Sequence, residues 1–209
     1  SRLYEVHLSL TSDNDPQLRA LTDRIREESF PDSTGWYRLA MVLDDMGQLE
    51  KAEEICETLL KRETKESSKA AYYNQLGLIK REQGEYKEAI DIYEKTLTIQ
   101  QQSLPPTHPD LASSYNNIGN VYYSMGDYPQ ALASYEKALA IRQQSLPPTH
   151  PDLAASYNNI GTTCEIMGNN AKACSYLERA VKIGEQSLPT GHPHLKVYRR
   201  NLERIKKKL

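Results

Sequence analysis

The chain has 209 residues, enough for one or two domains. Its 26 basic and 28 acidic residues nearly cancel, which argues against nucleic acid as the main partner, and no apolar run is long enough to span a bilayer or patterned as a secretion signal. Cys56, Cys164 and Cys174 form no CxxC pair, so they read as small buried hydrophobes in a reducing, cytoplasmic setting rather than as ligands or nucleophiles.

At the N-terminus, Tyr4, Val6, Leu8 and Leu10 alternate with Glu5, His7 and Ser9. A period of two predicts a strand over residues 3–10. Asp15-Pro16 then opens a helix carrying Leu18, Leu21 and Ile25. A lone strand has unpaired edges and needs a sheet. Residues 1–32 are therefore expected to be the remnant of, or junction to, a preceding domain, or to self-associate through the strand. Ser1 in place of Met agrees with a fragment or a processed product.

From there the chain repeats itself. SLPPTHPDLASSYNNIG, from Ser103, returns from Ser145 with one change, Ser113 against Ala155. Gly47, Gly84, Gly126 and Gly168 set the register, at intervals of 37, 42 and 42. Before each stand an aromatic (Trp36, Tyr73, Tyr115, Tyr157) and a small residue (Ala40, Gly77, Gly119, Gly161). After each come Ala52, Ala89, Ala131 and Ala173, then Cys56, Tyr93, Tyr135 and Leu177. In the third unit Tyr115, Ile118, Gly119 and Tyr122 share one helical face, and Tyr128, Ala131, Leu132, Tyr135 and Ala138 mark a second helix beyond the turn at Gly126. Small residues at Gly119 and Ala131 let the two backbones approach. Four units follow: 33–66, 70–110, 111–152 and 153–194. At the boundaries Pro105-Pro106 stops one helix, Thr107 or His108 caps the next, and Pro109-Asp110 suits its first turn. Residues 195–209 continue as a helix, but Glu203 takes the small-residue position. No second helix can pack there, so this is a capping helix.

The order of aromatic, small residue, turn glycine, Ala and Tyr resembles the tetratricopeptide repeat (TPR). The common TPR period is 34, and the longer spacing with its His-Pro-Asp boundary resembles the repeats of kinesin light chains. The outer units depart most: the first carries Ala40 and Cys56, and the last Asn170 and Leu177. The resemblance implies an all-α, right-handed superhelix (an α-solenoid) preceded by the short strand and helix. It also implies a scaffold holding a protein or peptide in its concave groove. In this family the first helix of each unit lines that groove, with exposed positions at i, i+4 and i+7. Here these are Asn74, Leu78 and Arg81; Asn116, Asn120 and Tyr123; and Asn158, Thr162 and Glu165. Asn is a poor helix former, so three at one mid-helix position point to use, since an amide can pair with the backbone of an extended peptide. The adjacent Gln75, Asn117 and Asn159 either bond peptide or tie neighbouring helices together.

VHLSLTSDND, followed by repeats, also resembles the junction of arginine-type ADP-ribosyltransferases with TPR tails. That resemblance implies an accessory region of an NAD-dependent enzyme whose catalytic domain lies upstream, since the E-x-E of that family is absent here. The chain itself carries no nucleotide loop. His108, His150 and His192 sit at equivalent boundaries of successive units and do not form a shared metal site. Asp44-Asp45 and Glu53-Glu54 read as solvated charge. No catalysis, cofactor or metal is expected of this chain, and no nucleic-acid or membrane partner.

Overall fold

The predicted helix pairs form around four left-handed glycines. A computed structural model describes residues 33–209, so the expected N-terminal strand and helix lie outside the described residues. Among the described residues all regular structure is helical. α1 (Ser33–Asp45) pairs with α2 (Leu49–Arg62), α3 (Glu66–Glu82) with α4 (Tyr86–Ser103), α5 (Pro109–Met125) with α6 (Tyr128–Ser145), and α7 (Pro151–Ile166) with α8 (Asn170–Ser187). α9 (Pro193–Lys206) closes the array. None of these helices is long and apolar enough to cross a membrane.

Between the helices of each pair the chain turns through Gly47, Gly84, Gly126 or Gly168, with φ of 72°, 83°, 79° and 79°. A residue with a Cβ is disfavoured in that region. At Gly126 the turn satisfies the freed carbonyls of α5: Asp127 N donates to Tyr122 O at 2.9 Å, and Gly126 N donates to Tyr123 O at 3.1 Å. Asp127 then caps α6 by accepting from Gln130 N.

Between pairs, the histidines act as caps. Nδ1 of His108, His150 and His192 accepts from the N–H of Asp110, Asp152 and His194, at 3.2 Å in each case. His108 rather than Thr107 is thus the capping residue, and the following proline occupies the first turn, where no intrahelical N–H is needed. The helices begin at Glu66, Pro109, Pro151 and Pro193, slightly ahead of the unit boundaries read from the spacing.

Within a pair, the small residue of the first helix receives the large residue of the second. A Cβ on Gly119 would lie 2.6 Å from the Tyr135 ring, and one on Gly77 would lie 2.8 Å from the Tyr93 ring. In the last pair Gly161 faces Leu177 in the same way, at 2.7 Å. Ala89, Ala131 and Ala173 are completely buried on the opposing helices. This interlock repeats along the array and makes the core a column rather than a sphere, each section resting on its neighbour. Cys56 and Cys164 lie within it, and burial pushes the Cys56 thiol up to about 12. Cys174 is only half-buried.

Polar ties also join one unit to the next. Glu53 Oε1 receives Lys80 Nζ at 2.6 Å, and its Oε2 accepts from Gln83 Nε2 at 2.7 Å. Arg142, a buried cation, donates to Ser156 Oγ at 2.7 Å. First helices of successive units also touch: α1 with α3, α3 with α5, and α7 with α9. Second helices do not approach one another to the same degree. The first helices of successive units therefore share one side of the array, and the second helices the other.

Candidate functional site: the concave face

On the face formed by the first helices, the side chains at i, i+4 and i+7 of α3, α5 and α7 form three rows. The first row is less exposed than the register suggests. Asn74 and Asn116 are half-buried, and Asn158 is buried at 9 % exposure. Each first-row carbonyl accepts from the first helix of the next unit, or from α9 in the case of Asn158. Asn117 Nδ2 donates to Asn74 Oδ1 at 3.0 Å, Asn159 Nδ2 to Asn116 Oδ1 at 3.2 Å, and Asn201 Nδ2 to Asn158 Oδ1 at 2.9 Å. At the first junction Gln75 Nε2 donates instead to Asp44 Oδ2 at 2.8 Å. Of the two readings open for Gln75, Asn117 and Asn159, the structure shows the tie between neighbouring helices. An amide pairs well here because it donates on one side and accepts on the other, so each ladder step uses one end of each residue.

The second row divides by chemistry. Asn120 Oδ1 accepts from Tyr135 Oη at 2.8 Å, linking the groove to the interlocking tyrosine of α6. Thr162 donates back to Asn158 O on its own helix at 3.0 Å. Leu78 has no polar atom to offer, and the hydroxyl of the corresponding tyrosine, Tyr93, is buried without a hydrogen-bond partner.

In the third row Arg81 is half-buried and held loosely, with Nη2 at 3.4 Å from Glu82 Oε1. Tyr123 packs edge-on against Tyr128, with ring centroids 5.5 Å apart. Glu165, expected as an exposed groove carboxylate, is buried because α9 and the turn after it fold two cations over it. Arg204 donates from Nε to Oε1 at 2.9 Å and from Nη2 to Oε2 at 2.6 Å, and Lys208 Nζ reaches Oε1 at 2.7 Å. These bonds, Arg204 first, hold the Glu165 carboxyl down to about 2. Asp44, expected as solvated charge, is also buried, at 7 % exposure. Loss of hydration, then the nearby Glu82, raises its carboxyl above the usual range.

Tyr123, Thr162 and Glu165 line one pocket with Arg200, Arg204 and Lys208. The α9 residues were not among the expected groove residues, although the period carries a signal. Asn201 stands 42 residues after Asn159, and Asp44 stands 37 before Arg81. Among the described residues no group of three or more His, Cys, Asp or Glu side chains is placed to hold a metal ion.

A family model described as tetratricopeptide repeat matches residues 32–102, 68–144 and 110–186. No curated protein matches the chain. Among solved structures, a Podosopora anserina protein of nearly identical TPR-like repeats, assigned to the kinesin light chains, is 24% identical with a TM-score of 0.71, over 83% of this chain and 85% of that one. BtubC (BKLC) from P. vanneervenii is 20% identical with a TM-score of 0.76, over 91% of this chain and 81% of that one. The apo form of RapI is 18% identical with a TM-score of 0.72, over 84% of this chain and 63% of that one. At these identities the likeness is one of fold. No arginine-type ADP-ribosyltransferase appears among these similarities, which leave that resemblance without support.

Proposed function

Because the chain belongs to the tetratricopeptide repeat family, we propose that it is a protein-interaction scaffold whose concave face holds an extended segment of a partner protein. The observation that carries this reading is the pairing pattern of the first helices. Their amide ladder spends its polar groups on neighbouring helices and fixes the spacing of the array. The third row, by contrast, leaves Arg81 and Tyr123 with little internal bonding. A rigid backbone with adaptable polar and aromatic groups above it suits recognition of a peptide, since little ordering is needed on binding. At the far end Arg200, Arg204 and Lys208 outnumber Glu165, so that pocket favours an acidic side chain of the segment.

A peptide-library pull-down with the 209-residue chain tests the reading. Selected peptides should bind about 2- to 10-fold more weakly to the Arg81→Ala or Tyr123→Ala protein, from the loss of one contact each. Neither side chain is hydrogen-bonded to another helix among the described residues, so truncating either keeps the polar ties between units. Selected peptides that bind both variants as tightly as the parent would place the contact surface elsewhere.

A further inference from the structure

Every first helix after α1 rests on the helix before it: α3 on α2, α5 on α4, α7 on α6 and α9 on α8. One position records that contact along the array. Val42, Ile79, Val121, Thr163 and Ile205 fall at the same place in successive first helices, at intervals of 37, 42, 42 and 42. Ile79, Val121, Thr163 and Ile205 are completely buried. Ile79 shares a hydrophobic cluster with Ala52, Cys56 and Leu59 of α2, Val121 with Ala89, Tyr93 and Leu97 of α4, and Ile205 with Ala173, Leu177 and Ala180 of α8. At this position a first helix meets the second helix of the preceding unit. Val42 alone of the five is exposed, at 49%.

A second position repeats the pattern in polar form. Arg38, Gln75, Asn117, Asn159 and Asn201 are likewise equivalent. The last four each donate to the first helix of the preceding unit. Arg38 is exposed, and no helix precedes α1 among the described residues. Arg38 and Val42 are four apart and so neighbours on one helix face. α1 thus presents, side by side, a hydrogen-bond donor and an apolar residue at the two places where later first helices meet the unit before them. A single exposed valine is ordinary on a protein surface. At a position buried in all four later first helices, its exposure marks a stacking face open to another helix.

We propose that residues 16–29 of this same chain dock on that face, covering Val42 with Leu18, Leu21 and Ile25, as a second helix does at every later junction. The sequence sets these three apolar residues at i, i+3 and i+7, one stripe of a helix. Pro31 stops that helix. From Pro16 to Ser29 it has the length of α2, 14 residues. Residues 30–32 then join it to α1, as residues 63–65 join α2 to α3. So short a link sets consecutive helices side by side. Glu27 and Glu28, near its end, bring charges opposite to Arg38. The proposal concerns the end of the array and does not depend on the groove reading.

Hydrogen exchange of the 209-residue chain, read by mass spectrometry, tests the docking. Amides of residues 16–29 should be protected to the same degree at every protein concentration. Val42→Asp should speed their exchange about tenfold or more, as expected when a buried aliphatic contact is replaced by a charge. Leu21→Asp should speed exchange in α1 by a similar factor and leave α5 to α9 unchanged, because each unit contacts only its neighbours. Leu21 lies outside the repeats, so this variant remains informative if Val42→Asp fails to fold. Exchange in α1 that ignores Leu21→Asp overturns the proposal, as does exchange of residues 16–29 that ignores Val42→Asp. Protection of α1 that grows with concentration, together with a dimer in light scattering that Val42→Asp dissolves, overturns it in favour of a second copy of the chain on this face.

Discussion

Replacing Glu165 with Gln removes the carboxylate that α9 folds over, and the consequence for stability can be worked from the structure. The Glu165 carboxyl is held at about 2, against an ordinary value of 4.5. That gap corresponds to a ceiling of about 3 kcal/mol. The side chains of Arg204 and Lys208 are 47% and 49% exposed, so water screens both partners and the net contribution falls to about 1–2 kcal/mol. Because the folded-state value is depressed, the contribution is fully present above 4.5 and is lost as pH falls toward 2. Chemical denaturation of the two proteins, followed by circular dichroism from neutral pH to about pH 2, should show the parent more stable by that amount at neutral pH. The difference should close across the acid window. Other carboxylates titrate in both proteins and cancel in the comparison. Hydrogen exchange should show the loss first in α9, since stability in such arrays is divided among neighbouring units. A difference that stays constant with pH, or no difference at all, would refute the charge-based account of how α9 is held.

Gly119→Ala should cost about 1–3 kcal/mol in a thermal melt, because its Cβ would fall 2.6 Å from the Tyr135 ring and strain the bond from Tyr135 to Asn120. Gly126→Ala meets nothing within 4 Å and should cost about 1–2 kcal/mol through its φ of 79° alone. A double-mutant cycle of Asn116→Ala with Asn159→Ala should return a coupling of about 0.5–1.5 kcal/mol; additive effects would mean that the ladder does not bind neighbouring units. Asp44→Asn should raise the denaturation midpoint at neutral pH, since it removes a buried carboxylate whose ionisation is disfavoured, and the gain should fade as acid protonates Asp44 in the parent protein.

Local rules carry most of the fold. The turn glycines, the Gly119–Tyr135 type of interlock and the His-Pro-Asp boundary act over a few residues or within one helix pair, so their spacing is visible in the chain. Periodicity likewise assigned the three rows to first helices, and the structure has these residues on α3, α5 and α7. It could not say which members of those rows are free. Asn74, Asn116 and Asn158 fall in an exposed register of an isolated unit, but the next first helix lies close enough to take their carbonyls, a contact some forty residues away in sequence. Glu165 looks open until α9 and the turn after it bring Arg204 and Lys208 across it. Asp44 looks solvated until α3 covers it. Burial and charge pairing at these positions depend on how one unit is set against the next, and only the stacked array fixes that distance.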